Sequence, residues 1–180
     1  MEELKRQALK DGLTGLYNHR YFHERLSEEV ERSDRTGDSV SVILADMDNF
    51  KQINDRYGHL TGDRALIHFA EICRESTRSC DTVARIGGDE FSVLLPEADI
   101  TQAERVADRI ARTLSGKPLT VEEGKHSGDP VPLSFSCGIS TYPDEADTAR
   151  DLVRAADQCL FRAKRANTAL RRSPIRRSGL

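Results

Sequence analysis

Apolar positions along the chain switch between helical and strand-like spacing, and each switch marks a change of element. Phe22, Leu26 and Val30 fall four apart, which predicts a helix over about 19–35 with one buried face. Val40 to Ala45 is a nearly continuous apolar run that starts with β-branched residues, so it predicts a strand buried on both faces. Leu66, Ile67, Phe69, Ala70, Ile72 and Cys73 predict a second helix over about 63–77. Val83–Ile86 and Phe91–Leu95 read as two strands around Gly87-Gly88-Asp89-Glu90. The two glycines are expected to supply positive φ angles, which makes this segment a β-hairpin.

Pro96 closes that hairpin, and Thr101-x-x-Glu104 predicts a capping box opening a helix over 102–114. Residues 117–133 predict a minor hairpin around Gly124 to Gly128, and Ser134 to Thr141 a further strand. Thr148-x-x-Asp151 opens a last helix that carries Leu152, Ala156, Cys159, Leu160 and Ala163. Adjacent hairpin strands exclude a purely parallel doubly wound sheet and predict an α+β sandwich. Residues 2–10 read as a stalk-like helix end whose only apolar positions are Leu4, Ala8 and Leu9, either a coiled-coil remnant or a frayed terminus.

A length of 180 residues suits one domain. No apolar run approaches the roughly 20 residues that cross a bilayer, and the N-terminus lacks the apolar core of a signal peptide. A cytoplasmic location follows as the expectation, with a membrane tether in a longer chain left open. The net charge of −3 is uneven: residues 162–180 carry seven Lys and Arg and no acid, so the body is strongly acidic. An acidic body argues against a duplex nucleic acid partner and favours one that holds metal ions and, through them, phosphates. Residues 171–180 read as a basic disordered tail. Cys73, Cys80, Cys137 and Cys159 form no CxxC pair and are expected as free thiols in a reducing compartment.

Asp46 and Asp48 follow the Val40–Ala45 strand, while Asp89 and Glu90 stand in the hairpin turn. If hairpin and strand pair, Asp46 meets Asp89 or Glu90 at one end of the sheet. Such carboxylates repel one another unless a cation neutralises them, and hard oxygen donors suit Mg²⁺ completed by substrate phosphates. The competing reading is that these acids are solvated turn formers. Side-chain-free Gly87 and Gly88 let phosphates approach backbone N–H groups, and Lys51 adds a positive charge. No GxxxxGK[ST] is present, so this is not a P-loop site.

Arg85-Ile86-Gly87-Gly88-Asp89-Glu90-Phe91 carries the signature after which the GGDEF domain is named, and the chain resembles the diguanylate cyclases that carry it. The likeness extends to Asp11-Gly12-Leu13-Thr14-Gly15-Leu16-Tyr17-Asn18, to Asp46-Met47-Asp48-Asn49-Phe50-Lys51-Gln52-Ile53-Asn54-Asp55 and to Tyr57-Gly58-His59-Leu60-Thr61-Gly62-Asp63. It closes with Ser136-Cys137-Gly138-Ile139-Ser140 and Ala156 to Lys164. The resemblance covers residues 11–170 as one domain and implies a palm-like α+β fold with a central, mainly antiparallel five-stranded sheet flanked by helices. It implies condensation of two GTP into cyclic di-GMP and two pyrophosphates. Each domain of such a cyclase holds one GTP, so a homodimer is implied, as is an upstream sensory domain.

Carried over residue by residue, the resemblance implies Asp46, Asp89 and the Met47 carbonyl as ligands of Mg²⁺ or Mn²⁺. Glu90 matches a second acidic position needed for activity and able to help hold a second ion. Asn54 and Asp63 match the guanine readers, Lys51 and Lys164 the phosphate-binding lysines. Guanine offers N1–H and N2–H₂ donors that a carboxylate such as Asp63 accepts, and adenine lacks that edge. Arg78-Ser79-Cys80-Asp81 is an RxxD at the spacing of the family's product-inhibition site, and Arg109 matches its secondary arginine. Thr168 stands where the family has a phosphate-binding arginine. That departure keeps a second reading alive, a catalytically weak domain serving as a GTP or cyclic di-GMP receptor. A third reading is an interaction module whose acidic turn is only structural.

Overall fold

The computed structural model describes residues 9–166 and the backbone of residues 170–172. Most of the expected N-terminal stalk, Thr168 and residues 173–180 of the expected tail lie outside the described residues. The chain runs β1 (Tyr17–Asn18), α1 (His19–Thr36), β2 (Val40–Met47), α2 (Phe50–Tyr57), α3 (His59–Glu75), β3 (Thr82–Arg85) and β4 (Glu90–Pro96). It continues through α4 (Ile100–Gly116), β5 (Leu119–Thr120), β6 (Pro130–Val131), β7 (Phe135–Tyr142), α5 (Ala149–Arg165) and β8 (Leu170–Arg172).

Strand β2 lies at the centre of the sheet and pairs antiparallel with β4 on one side and β7 on the other. The sheet order is β1-β3-β4-β2-β7-β8. The expected sandwich around a mainly antiparallel sheet stands, widened by short parallel edges at β1 and β8. Arg171 and Arg172, assigned from sequence to the tail, belong to β8. The small β5–β6 hairpin forms a separate two-stranded sheet where the minor hairpin is expected.

All eight residues of β2 are buried, as a strand covered on both faces requires. Its alternation sorts side chains between two cores. Ile43, Ala45 and Met47 pack with Phe69, Phe91 and Phe135 beneath α3 and α4. Val40, Val42 and Leu44 pack with Phe22, Leu26 and Leu152 beneath α1 and α5. Asp46 therefore points to the α5 side by the same parity.

Three local expectations change. The helix expected over 63–77 starts at His59 and ends at Glu75, and it is preceded by a separate eight-residue helix, α2, too short to announce itself by periodicity. Helix α4 is capped by Asp99, not Thr101: Asp99 accepts from Gln102 N, and the Gln102 side chain accepts in return from Asp99 N. Both pairs fit the capping-box spacing, and backbone direction selects the earlier one. Finally, neither Gly87 nor Gly88 adopts a left-handed backbone; positive φ occurs instead at Gly15, Gly37, Gly58, Gly124 and Gly128.

Candidate active site

The β2–β4 ladder pairs Asp46 with Glu90 and carries on to a hydrogen bond from Met47 N to Asp89 O of 3.1 Å. The strand and the hairpin turn therefore deliver their carboxylates to one end of the sheet. A cleft of about 440 Å³ opens there, lined among others by Asp46, Met47, Lys51, Asp89 and Lys164. Glu90 does not line it. Its carboxylate folds back over Gly87, where an added Cβ would lie 3.3 Å from Glu90 Cδ and closer still to Oε2. Gly87 thus serves by leaving room, while Gly88 is open on all sides.

Asp46 is 6% exposed. Burial pushes its carboxyl above the usual range, the charges of Asp89 and Glu90 push the same way, and Lys164 opposes them. The Lys164 ammonium sits 2.6 Å from Asp46 Oδ2. Its reach depends on how closely α5 approaches the sheet. On the α5 face of β7, Ser136, Gly138 and Ser140 are all small. A Cβ on Gly138 would meet the backbone of α5, 3.0 Å from Cys159 C and nearer to Ala156 O and Leu160 N. Ser140 Oγ donates to Leu152 O at 2.7 Å and fixes the start of the same helix.

Asp48, a candidate acid in the sequence, is held differently. Ser134 Oγ and Ser136 Oγ donate to its two oxygens at 2.8 and 2.7 Å, and its own N–H donates to Ser134 O. Both oxygens are engaged, by Ser134 just before β7 and by Ser136 within it, so Asp48 anchors the turn that carries Met47 and Lys51. No spacing rule signals this, because Ser134 and Ser136 are about ninety residues away along the chain.

Arg85 was also missed as a functional position. It donates from Nε and Nη2 to Gly88 O at 3.0 and 2.7 Å, and from Nη1 to Asp11 at 3.1 and 3.3 Å. Thr14 donates to the same Asp11 through both N–H and hydroxyl. Burial raises the Asp11 carboxyl, yet the Thr14 and Arg85 bonds outweigh it and leave it below its ordinary value. The opening Asp11–Thr14 turn is thereby clamped to the acidic turn.

Asn54 on α2 and Asp63 on α3 do not line the cleft; they lie on the two helices that adjoin it, joined at Gly58. Arg78, Asp81 and Arg109 form a second cluster at the far end of β3. Arg78 N donates to Asp81 Oδ2 at 2.7 Å, and Arg109 Nε donates to Ser76 O at 2.8 Å, close enough to act on Asp81. Burial raises the Asp81 carboxyl, and Arg78 and Arg109 oppose that. Concavities of about 440 and 420 Å³ flank this turn and share Arg78, Ser79 and Asp81. Cys73, Cys137 and Cys159 are buried free thiols and Cys80 is exposed. Burial pushes the Cys137 thiol up to about 12, so it is inert at neutral pH.

Among the described residues, no three His, Cys, Asp or Glu side chains gather as a ready-made metal cage. Three carboxylates line the cleft, and with Asp48 held by Ser134 and Ser136 those of Asp46 and Asp89 are left as its hard oxygen donors. That composition fits Mg²⁺, which is held by one or two carboxylates plus substrate phosphates and water, and it does not fit a closed zinc site.

The sequence model of the family described as diguanylate cyclase, GGDEF domain, matches residues 8–169. The response regulator PleD of Caulobacter vibrioides is 40% identical over 157 residues, 87% of this chain and 34% of that protein. The diguanylate cyclase TpbB of Pseudomonas aeruginosa is 39% identical over 170 residues, 94% of this chain and 38% of that protein. A solved structure comprising only the TpbB GGDEF domain superposes with a TM-score of 0.85 at 38% identity, covering 92% of this chain and 94% of that one. The chain spans little more than a third of the length of these two relatives. Motifs, fold and matched length agree, and the chain belongs to the GGDEF diguanylate cyclase family.

Proposed function

We propose that this chain is a diguanylate cyclase that condenses two GTP into cyclic di-GMP and two pyrophosphates, acting as a homodimer with a divalent metal ion. One observation carries the reading: the β2–β4 pairing brings Asp46 and Asp89 into a single cleft with Lys51 and Lys164. Two carboxylates can hold a cation, and two ammonium groups can hold the phosphates that accompany it. Asp46, the Met47 carbonyl and Asp89 are the groups that would hold Mg²⁺ or Mn²⁺, with Glu90 beside them. Bound there, such an ion would lower the cost of deprotonating a 3′-hydroxyl and would neutralise charge at the α-phosphate.

The protein's own groups supply the rest. Lys51 and Lys164 orient the triphosphate, and the side-chain-free backbone at Gly88 leaves it room. Asn54 and Asp63 read the guanine edge, which selects GTP over ATP. In each half-reaction the 3′-hydroxyl of one nucleotide gives up its proton to water, and its oxygen bonds to the α-phosphorus of the other. The bond from that phosphorus to the bridging oxygen breaks, and pyrophosphate leaves. Each domain holds one nucleotide, so two copies face each other, and alignment of the halves controls the rate. Product binding at Arg78, Asp81 and Arg109 gives feedback inhibition. A sensory domain upstream and a cytoplasmic setting complete the reading. No helix among the described residues is long and apolar enough to cross a membrane.

The test is to strip bound dinucleotide with a phosphodiesterase, incubate concentrated protein with GTP and Mg²⁺ beside Asp89→Ala, and identify products by mass spectrometry. Cyclic di-GMP from the unaltered chain alone is expected, with Asp89→Ala down by about a hundredfold or more. GTP binding without product would instead favour the receptor reading that Thr168 suggests.

A further inference from the structure

We propose that Gly62 is a positioning residue for guanine recognition: its missing side chain is the seat that holds the Asn54 amide. The inference rests on the proposed role of Asn54 as a guanine contact and adds what fixes that contact in place.

Gly62 is buried in the first turns of α3, and its N–H donates to Gly58 O at 3.1 Å. Its backbone is not left-handed, so the local conformation does not require glycine. Within a helix, glycine is a poor choice relative to alanine. The reason for it lies in space. A Cβ built on Gly62 would stand 2.9 Å from Asn54 Cγ and nearer still to Oδ1, with the Phe50 ring 3.4 Å away. The volume of a side chain at 62 is already filled by the Asn54 amide.

The chain makes this possible by reversing at Gly58, whose φ of 88° lets α2 and α3 fold against each other. The Asn54 amide then occupies the place a side chain would take at Gly62, with Phe50 bordering the same space. An amide seated there has little rotamer freedom to lose when it meets a base, so recognition is pre-organised. Gly58 and Gly62 thus have different reasons for being glycine. The first shapes the backbone, and the second makes room for a functional side chain. Only the second can be changed without breaking the elbow.

The experiment measures binding of a non-hydrolysable GTP analogue and its ATP counterpart by calorimetry in Mg²⁺, together with melting temperature. It compares the 180-residue chain with Gly62→Ala, Asn54→Ala and the double variant. Gly62→Ala is expected to weaken the GTP analogue about tenfold while leaving the ATP analogue unaffected, the loss of one directed hydrogen bond. In the Asn54→Ala background, Gly62→Ala is expected to add no further loss. The double variant is expected to melt no lower than Gly62→Ala, because the volume conflict has gone. Wild-type affinity in Gly62→Ala, or an equal loss in both backgrounds, overturns the seat. If Gly62→Ala fails to fold, the double variant must fold; if it does not, the inference is overturned as well. Wild-type affinity in Asn54→Ala would remove the guanine role of Asn54 and the inference with it. A loss in Asn54→Ala with none in Gly62→Ala would remove the seat alone.

Discussion

Two acidic turns flank strand β3, and only its four residues and Ile86 separate them. The turn before it, Arg78 to Asp81, balances its charge internally: Asp81 accepts from Arg78 N and lies under the charges of Arg78 and Arg109. The turn after it, Gly87 to Glu90, faces Asp46 across the ladder, and like charges accumulate with Lys164 as the opposing cation on Asp46. A balanced cluster suits a ligand with both donors and acceptors, such as a guanine base with its phosphates. An unbalanced one suits a metal ion. The contrast teaches that an acid in a turn acquires its chemistry from what the neighbouring strands bring to it.

The comparison can be broken most severely at the unbalanced turn, where Asp89→Ala should abolish product. Lys164→Met should sharpen it: turnover falls about tenfold or more, yet the rise in melting temperature on adding Mg²⁺ alone exceeds that of the unaltered chain. Asp46 has then lost its internal cation, and an ion that binds only the native state stabilises it. Equal Mg²⁺ responses would show that the Asp46–Lys164 pair does not compete with the metal. At the balanced turn, Arg78→Ala should stop progress curves from levelling as cyclic di-GMP accumulates, weakening dinucleotide binding about tenfold. Curves that still level would move the inhibitory site elsewhere.

Smaller effects test how the acidic turn is braced. Asp11→Asn should lower the melting temperature at pH 7 by disrupting the clamp to Arg85. The folded Asp11 carboxyl lies below its ordinary value of 3.8, so its contribution is present above that pH and is lost as the pH falls through the folded value. The gap between variant and unaltered chain should therefore close in acid; a gap constant with pH would assign the effect to something other than the carboxylate. Ser136→Ala removes one of the two hydroxyls on Asp48 and should cost about 1 kcal/mol in denaturant unfolding.

Much of this was legible in the chain. The unbroken apolar run at Val40–Ala45 implied a strand covered on both faces, and the sheet buries it so. Pairing that strand with the following hairpin was enough to bring Asp46 toward Asp89 and Glu90. Local rules failed where two local solutions compete, as at Asp99 and Thr101, or where an element is too short for a period, as in α2. The Gly87–Gly88 pair was misread for a related reason: glycine signals either unusual φ or missing volume, and a sequence does not say which.

The sequence by itself determined the element types, the two-sided core and the identity of the chemical groups at the sheet end, because periodicity and residue chemistry are local properties. Tertiary structure alone decided which groups meet. Lys164 reaches Asp46 because Gly138 lets α5 approach the sheet, Asp48 is held by Ser134 and Ser136, and Arg85 ties the opening turn to the acidic one. The Asp48 contacts and the Arg85–Asp11 pair join residues 74 or more positions apart, and at Gly138 the determinant is an absent side chain. Contacts over such separations follow from strand register and from packing volume, and neither is written in the spacing of a motif.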